Sequence, residues 1–286
     1  MKEWISPIPL KVHLIWIGNL DPPDYLKFFM KSFEKNMPEF DIKLWRTKDL
    51  TKKNFPLTYE YIKKAKKYNG KPMREDDDLG GHILRDKNMK PYTHSKWAQI
   101  TDLMRLEIVY RNGGFYFDTT FEILRPMYNL LNKKVKFVGC NEVPRFKNVS
   151  FLSNSFFGAI ENSPILKRLL SKSKLNKIRF DSMYVDNETG PAYLRSGIKL
   201  TDDFHIYKTT YFYPFVEEYD PGVNPPYRKA EKNKCHSKKK TKKKNKRIKN
   251  KKGFIEYPCK KYPKSYALKH WQLGKSWSVP SIYYIK

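Results

Sequence analysis

Three charged residues near the middle of the chain have types and spacing that suit a polar ligand site. Asp102 and Arg105 are three residues apart in a stretch of helical periodicity, so they share one face of a helix. Asp118 follows Phe115-Tyr116-Phe117, an aromatic run typical of a buried strand. Ligands of open α/β sheets bind just beyond the carboxyl ends of strands, where Asp118 is expected. The alternative for Asp102 and Arg105 is an exposed ion pair, worth only about 0.3–0.5 kcal/mol.

A helix, a glycine turn and a strand must position these three residues. Apolar residues from Ile100 to Tyr110 recur at helical spacing, and Gly113-Gly114 follow where a left-handed helix end needs glycine. The spacing therefore predicts a helix that begins near Ser95 and ends before the glycines, followed by a short buried strand.

The beginning of the chain predicts a β-α-β unit. Residues 12–17 form a β-rich apolar run, Asp21-Pro22-Pro23 is typical of a helix start, and Ile42–Arg46 predicts a second strand. This order implies a parallel sheet. Glycine-rich phosphate-binding fingerprints are absent from the sequence.

Further elements are predicted on both sides of the central block. Helices are expected over residues 59–67 and 164–172, a strand over 135–139, and a mobile connection over 74–91. The acidic run at residues 75–78 is expected to be a solvated loop, with a cation site as the alternative.

The chain is strongly basic, with 58 Lys and Arg against 29 acidic residues and a formal net charge of +29. Residues 228–252 are dominated by lysine, which predicts a disordered surface insertion within one large domain over residues 1–286. The insertion is either a solvated loop or a segment, Lys229 to Lys252, that binds an anionic surface. Because it lacks aromatic residues that stack on bases, we expect no specific nucleic acid partner.

Three cysteines and the hydropathy pattern bear on the compartment. Cys140, Cys235 and Cys259 are too few for a disulfide framework, and they lack the paired spacing of a zinc site. No apolar run is long enough to span a bilayer, and no signal peptide is evident. A soluble, cytoplasmic protein without a transmembrane segment is expected.

The central block resembles the sugar-binding region of family 32 glycosyltransferases, which are related to yeast α-mannosyltransferases and to clostridial glucosylating toxins. The family pattern is approximately D-x-x-R-x-x-x-L-x-x-x-G-G-x-Y-x-D-x-D. The residues of this chain that match it are Asp102, Arg105, Gly113, Gly114, Tyr116 and Asp118. Thr120 stands where the family has the second aspartate of its D-x-D metal motif.

Five other segments resemble parts of the same family. The first contains Trp16, the second contains Asn154 with Ser153 beside it, and the third is Thr189-Gly190-Pro191, which opens a helix near the diphosphate in the family. The carboxyl-terminal segment carries His270, Ser276 and Trp277. In addition, Tyr211-Phe212-Tyr213-Pro214 resembles a late family strand.

The resemblance implies an α/β, GT-A-like nucleotide-sugar-binding fold with a mixed central sheet flanked by helices. It further implies a transferase that moves a hexose from a nucleotide sugar, most often a UDP-sugar, to a glycan or glycoprotein acceptor with retention of configuration. Trp16 would stack on the base, Asp102 and Arg105 would hold the donor sugar and ribose, and Asn154 would face the donor sugar.

The resemblance also implies a divalent metal, Mn²⁺ or Mg²⁺, held by Asp118 and His270, with Ser276 and Trp277 closing over the diphosphate. Thr120 leaves metal use open because it removes one anionic ligand. Glu122 could replace that ligand only if the backbone turns, since four extended residues separate it from Asp118 by about 13 Å.

Two other functions remain possible from the sequence. The absence of the second aspartate would also fit a catalytically degenerate relative that only binds a nucleotide or a glycan. The lysine-rich segment would also fit a polyanion-binding module.

Overall fold

A mixed β-sheet organises the described part of the protein. The computed structural model describes residues 3–18, 21–68, 97–142, 151–182, 185–213, 248–249, 255–256 and 265–269. In chain order, the strands are β1 (Lys11–Trp16), β2 (Asp41–Arg46), β3 (Gly114–Phe117), β4 (Phe121–Ile123), β5 (Phe137–Glu142), β6 (Phe151–Ala159), β7 (Phe204–Tyr207), β8 (Ile248–Lys249), β9 (Ile255–Glu256) and β10 (Ala267–Lys269).

The main sheet has six strands in the order β2-β1-β3-β6-β5-β7. Strand β1 pairs in parallel with both β2 and β3, whereas β6 is antiparallel to β3 and β5. Strand β2 of the first β-α-β unit lies on one side of β1, and β3 lies on its other side. Ligands of α/β sheets bind at such a reversal of strand order, and here it brings together the carboxyl ends of β1 and β3.

Helices cover the sheet. They are α1 (Asp24–Asn36), α2 (Tyr59–Lys67), α3 (Trp97–Asn112), α4 (Tyr128–Leu131), α5 (Pro164–Leu169), α6 (Lys172–Leu175), α7 (Val185–Glu188) and α8 (Pro191–Ser196), with short 3-10 turns at Thr47–Asp49 and Thr209–Tyr211. Two hydrophobic clusters of buried residues pack the structure, one built around α3 and the other around α1 and the aromatic residues of β3. Within the described residues, no helix combines the length and the apolar character needed to cross a membrane.

The glycine turn joins α3 tightly to β3. Gly113 and Gly114 have φ angles of +62° and +93°, which favour glycine. A Cβ atom on Gly114 would lie only 2.6 Å from the carbonyl oxygen of Lys11, so the turn also allows β1 and β3 to approach. The buried His13 Nε2 is 2.9 Å from the Gly113 carbonyl oxygen, and burial lowers the pKa of His13 to about 4, so its ring is neutral. The turn therefore fixes the start of the strand that leads to Asp118.

The α/β fold class with a mixed central sheet flanked by helices is confirmed, but three details differ from the sequence predictions. Helix α1 begins at Asp24 after Pro23, so Asp21 does not cap it. Tyr211, which the resemblance placed in a strand, ends a 3-10 turn instead, and the next two residues, Phe212 and Tyr213, are buried in the core. Near the end of the lysine-rich segment, β8 pairs with β9, and most of that segment and all of residues 74–91 lie outside the described residues.

Candidate active site

Asp102 and Arg105 form a buried ion pair on α3. Their side chains are only 6% and 8% exposed, and Arg105 Nη2 lies 3.0 Å from Asp102 Oδ1. The alternative considered from the sequence, an exposed ion pair on the surface, is therefore wrong. Because most residues of this helix are buried on all sides, its charged residues must find partners inside the protein.

The guanidinium of Arg105 connects α3 to β3 and β6. Arg105 Nη1 donates a hydrogen bond of 2.8 Å to the Asn154 carbonyl oxygen and lies 3.3 Å from Asp118 Oδ1. Its Nε donates to the Thr101 carbonyl oxygen at 3.2 Å, and its carbon Cζ lies 4.6 Å from the centre of the Tyr116 ring. Burial disfavours the charged form, but Tyr116 and the two aspartates more than offset it and raise the pKa of Arg105. The group is a fixed positive charge.

Asp102 links three parts of the chain through its two oxygens. Besides Arg105, Oδ1 accepts a hydrogen bond of 2.8 Å from Asn154 Nδ2, and Oδ2 accepts one of 2.9 Å from Thr189 Oγ1. Burial raises the pKa of Asp102 to about 7, against the opposing effect of Arg105. Asp102 thus holds β6 and the start of α8 against α3.

Asp118 is the most accessible charged group of this cluster, with 25% of its side chain exposed. It follows β3, and the Tyr116 hydroxyl donates a hydrogen bond of 2.7 Å to its Oδ1. The ammonium of Lys269 forms an ion pair with its Oδ2. Burial alone would raise the pKa of Asp118, but Lys269 and then Arg105 outweigh that effect and lower it. Asp118 is consequently ionised at neutral pH.

Lys269 reaches Asp118 because β10 pairs with β4. The register places Lys269 opposite Phe121, which follows the turn after Asp118. The Lys269 side chain is 5% exposed, and its ammonium lies 5.3 Å from the centre of the Phe121 ring. Two cationic side chains, Arg105 and Lys269, therefore converge on one carboxylate.

The described residues around Asp118 do not fit a divalent cation. Both carboxylate oxygens already contact positively charged groups, which would repel a metal ion placed on them. Thr120, which stands where the family has a second aspartate, offers only a neutral hydroxyl. That hydroxyl is buried and makes no hydrogen bond to the described residues, as a vacant ligand would, but it carries no charge to offset the two cations. We therefore assign no metal-dependent step to this arrangement.

Four of the residues selected from the sequence meet in this cluster: Asp102, Arg105, Asp118 and Asn154. Trp16 ends β1, next to β3 in the sheet, and its ring packs edge-on to Tyr25 with ring centres 6.5 Å apart. It therefore lies at the same strand-end edge as Asp118. His270, Ser276 and Trp277 lie outside the described residues.

Sequence reasoning did not identify Lys269 or the role of Thr189. Lys269 is one of many lysines in a basic chain, and only the pairing of β10 with β4 distinguishes it. Thr189 was selected as part of a tripeptide near a diphosphate, whereas the structure shows its hydroxyl on Asp102. The sequence signal that could have pointed to Thr189 was its position directly before a glycine and a helix-starting proline.

One protein-family model matches part of the chain. Residues 23–137 match the family described as "Glycosyltransferase sugar-binding region containing DXD motif". The resemblance read from the sequence is thereby confirmed, and the matched region includes Asp102, Arg105 and Asp118. Asn154, Thr189 and Lys269 lie beyond the matched residues. No curated protein matches the sequence.

Two solved structures resemble this chain at low sequence identity. "PaToxG Glycosyltransferase" has 14% sequence identity and a TM-score of 0.46, covering 67% of this chain and 69% of its own. The catalytic domain of alpha-toxin from Clostridium novyi has 11% identity and a TM-score of 0.35, covering 58% of each chain.

Proposed function

We propose that the protein is a retaining hexosyltransferase that uses a nucleotide sugar, with a UDP-sugar as the first donor to test. The observation that carries the proposal is the buried cluster of Asp102, Arg105, Asp118 and Asn154 at the carboxyl end of β3, within and beside the matched family region. Retention of configuration and the choice of UDP follow from the resemblance. The acceptor would be a glycan or a glycoprotein.

In the overall reaction, the bond between the anomeric carbon and the diphosphate oxygen breaks, and its electron pair stays on the diphosphate. A new bond forms between the anomeric carbon and an acceptor hydroxyl oxygen, whose proton passes to the departing diphosphate. Charge that develops on the diphosphate must be stabilised, and fixed positive groups can do this in a site of low dielectric constant. Arg105 supplies one such charge.

The roles that we propose for individual residues combine the described positions with the family resemblance. Asp118, the most exposed member of the cluster, would contact the donor sugar, while Asp102 and Asn154 hold each other and Arg105 in place. Trp16, at the end of the neighbouring strand, would stack on the base. Ser276 and Trp277 would close over the diphosphate and His270 would lie near it, as the resemblance implies.

The domain organisation and the location in the cell belong to the same proposal. One domain over residues 1–286 would carry the activity, with the lysine-rich stretch at about 228–252 as an insertion in it. The lysines of that stretch would bring the enzyme to an anionic surface in the cytoplasm, by long-range attraction.

A panel of UDP- and GDP-sugars tests the function through the release of UDP or GDP. We expect release from one donor with the native protein and a loss of about 100-fold or more with Asp118→Asn, since isolated electrostatic contacts to a transition state are worth that much. Asp24→Asn is the matched control, because Asp24 forms only an exposed pair with Lys27. Both variants are checked by thermal unfolding.

The neutral residue Thr120 favours a second function, the binding of a nucleotide or glycan without catalysis. If folded native protein releases no nucleotide from any donor but binds UDP in a calorimeter, the transferase proposal fails and this second function stands.

A further inference from the structure

Lys269 is an unusual residue because its ammonium is buried beside another cation. Lysine is rarely buried unless it is paired, since removing an ammonium from water costs several kcal/mol. Here the Lys269 side chain is 5% exposed and pairs with Asp118, although Arg105 already lies 3.3 Å from the same carboxylate. Asp102 also pairs with Arg105, so Asp118 is the carboxylate that balances the ammonium of Lys269.

The charges of this cluster match those of a metal site in which a lysine has replaced the metal. A D-x-D site has two carboxylates that together balance one divalent cation. In this chain Thr120 removes one of the two negative charges, and Lys269 adds one positive charge to the remaining carboxylate. Asp118 with Lys269 is neutral overall, as two carboxylates with a divalent cation would be.

We propose that Lys269 takes the place of a divalent cation in this transferase, so that the protein acts on its nucleotide sugar without metal. This inference rests on the proposed function and specifies how that function is carried out. The ammonium keeps Asp118 ionised and in place, and its charge adds to that of Arg105 at the edge where the diphosphate departs. No proton transfer from Lys269 is required, because the electron pair of the broken bond stays on the diphosphate oxygen.

The surroundings of Lys269 suit this role. Asp102, Asn154 and Thr101 hold Arg105 rigidly, so that charge cannot move. Lys269 instead sits on a flexible stem at the end of a short strand, over the ring of Phe121. A compact ammonium on such a stem is also a common ligand of phosphate groups. The site thus combines one fixed and one adaptable positive charge.

Turnover in EDTA is the first test, with release of UDP or GDP as the readout. We expect the native protein to keep its full rate in EDTA and to gain nothing from added Mn²⁺. Lys269→Met should lower the rate by about 100-fold, and Lys269→Arg should restore much of it because the charge returns. Lys27→Met is the control, since Lys27 forms an exposed pair with Asp24 and should keep the native rate.

A charge exchange then separates an electrostatic role from a structural one. In the double variant Lys269→Met with Thr120→Asp, two carboxylates are present and the ammonium is gone. We expect this variant to bind Mn²⁺, measured by electron paramagnetic resonance, and to recover activity only when Mn²⁺ is added. The native protein should bind no Mn²⁺ at the same concentrations.

The outcomes distinguish this inference from the proposed function. If the native protein turns over a donor only with metal, or if Lys269→Met equals the native rate in EDTA, the role of Lys269 is refuted and the transferase stands. If no donor is turned over at all, the transferase fails, and calorimetric binding of UDP in EDTA still tests Lys269. Equal affinities of native protein and Lys269→Met for UDP would then refute its role as well.

Discussion

Arg105 is the residue whose replacement should reveal how strongly the buried cluster supports the fold. In Arg105→Met, the side chain keeps a similar length but loses its charge and all its donors. Asp102 would lose a partner at 3.0 Å, Asp118 one at 3.3 Å, and the Asn154 carbonyl oxygen a donor at 2.8 Å. Asp118 keeps Lys269, so Asp102 bears most of the loss.

The expected cost follows from the burial of these groups. Removing one partner of a buried ion pair costs about 3–5 kcal/mol, because the remaining group either stays charged without a partner or must change its protonation state. The Arg105 and Asp102 side chains are 8% and 6% exposed, so solvent screening does not reduce this figure much. We expect the free energy of unfolding to fall by about 4 kcal/mol at neutral pH.

The loss should also depend on pH. Arg105 lowers the pKa of Asp102, so without Arg105 that pKa rises above its native value of about 7. Above pH 7 the variant then holds a proton that the native protein has released. The unfolded variant releases this proton, so the free energy of unfolding of the variant falls as the pH rises. The difference in free energy of unfolding between native protein and Arg105→Met should therefore grow by up to about 1.4 kcal/mol per pH unit.

Urea unfolding followed by circular dichroism at pH 6.5 and pH 8.5 measures both effects. Lys63→Met is the matched control, because Lys63 pairs with Glu60 at 3.2 Å and both side chains are more than half exposed. Exposed pairs of this kind are worth at most about 1 kcal/mol, with no such pH trend. A loss for Arg105→Met no larger than that of the control would refute the claim that the cluster is a buried, interdependent unit.

Two further predictions concern Asp102 and the glycine turn. Because burial raises the pKa of Asp102 from 3.8 to about 7, the folded protein holds a proton in this range that the unfolded chain releases. Relative to Asp102→Asn, the free energy of unfolding of native protein should therefore fall by about 1.4 kcal/mol per pH unit between pH 4 and 7, and a flat difference would contradict the raised pKa. Gly114→Ala should lower the free energy of unfolding by about 2 kcal/mol, because Gly114 has a φ of +93° and a Cβ atom there would meet the Lys11 carbonyl oxygen. Gly18→Ala should lower it less in the same urea titration, because Gly18 has a φ of +124° but a Cβ atom there would meet no other atom within 4 Å.

Local patterns in the sequence predicted the central block well. Helical spacing and the glycine pair predicted α3, its end and strand β3 within a few residues, because each signal depends only on neighbouring residues. The first strand, the helix after it and the second strand were predicted for the same reason. The proximity of Asp102, Arg105 and Asp118 followed from this local order.

Long-range pairing could not be predicted in the same way. Helical spacing cannot tell a buried ion pair from an exposed one, so the burial of Asp102 became clear only from the packing of β6 and α8 around it. Asn154 lies within β6, and its side chain reaches Asp102 because that strand packs near α3. Lys269 reaches Asp118 through a strand pair that joins residues far apart in the chain.

The strand pair that delivers Lys269 also bears on how the chain could change over evolution. Residues on the two sides of the lysine-rich stretch contact each other directly: Tyr266 donates a backbone hydrogen bond of 2.8 Å to the Tyr211 carbonyl oxygen, and the Ser265 hydroxyl donates to the Thr210 carbonyl oxygen at 2.6 Å. Residues inserted or deleted between these anchored ends would change the closure free energy by only about 0.6 kcal/mol per doubling of length. The lysine-rich stretch can therefore lengthen, shorten or change composition among descendants while Lys269 keeps its place beside Asp118.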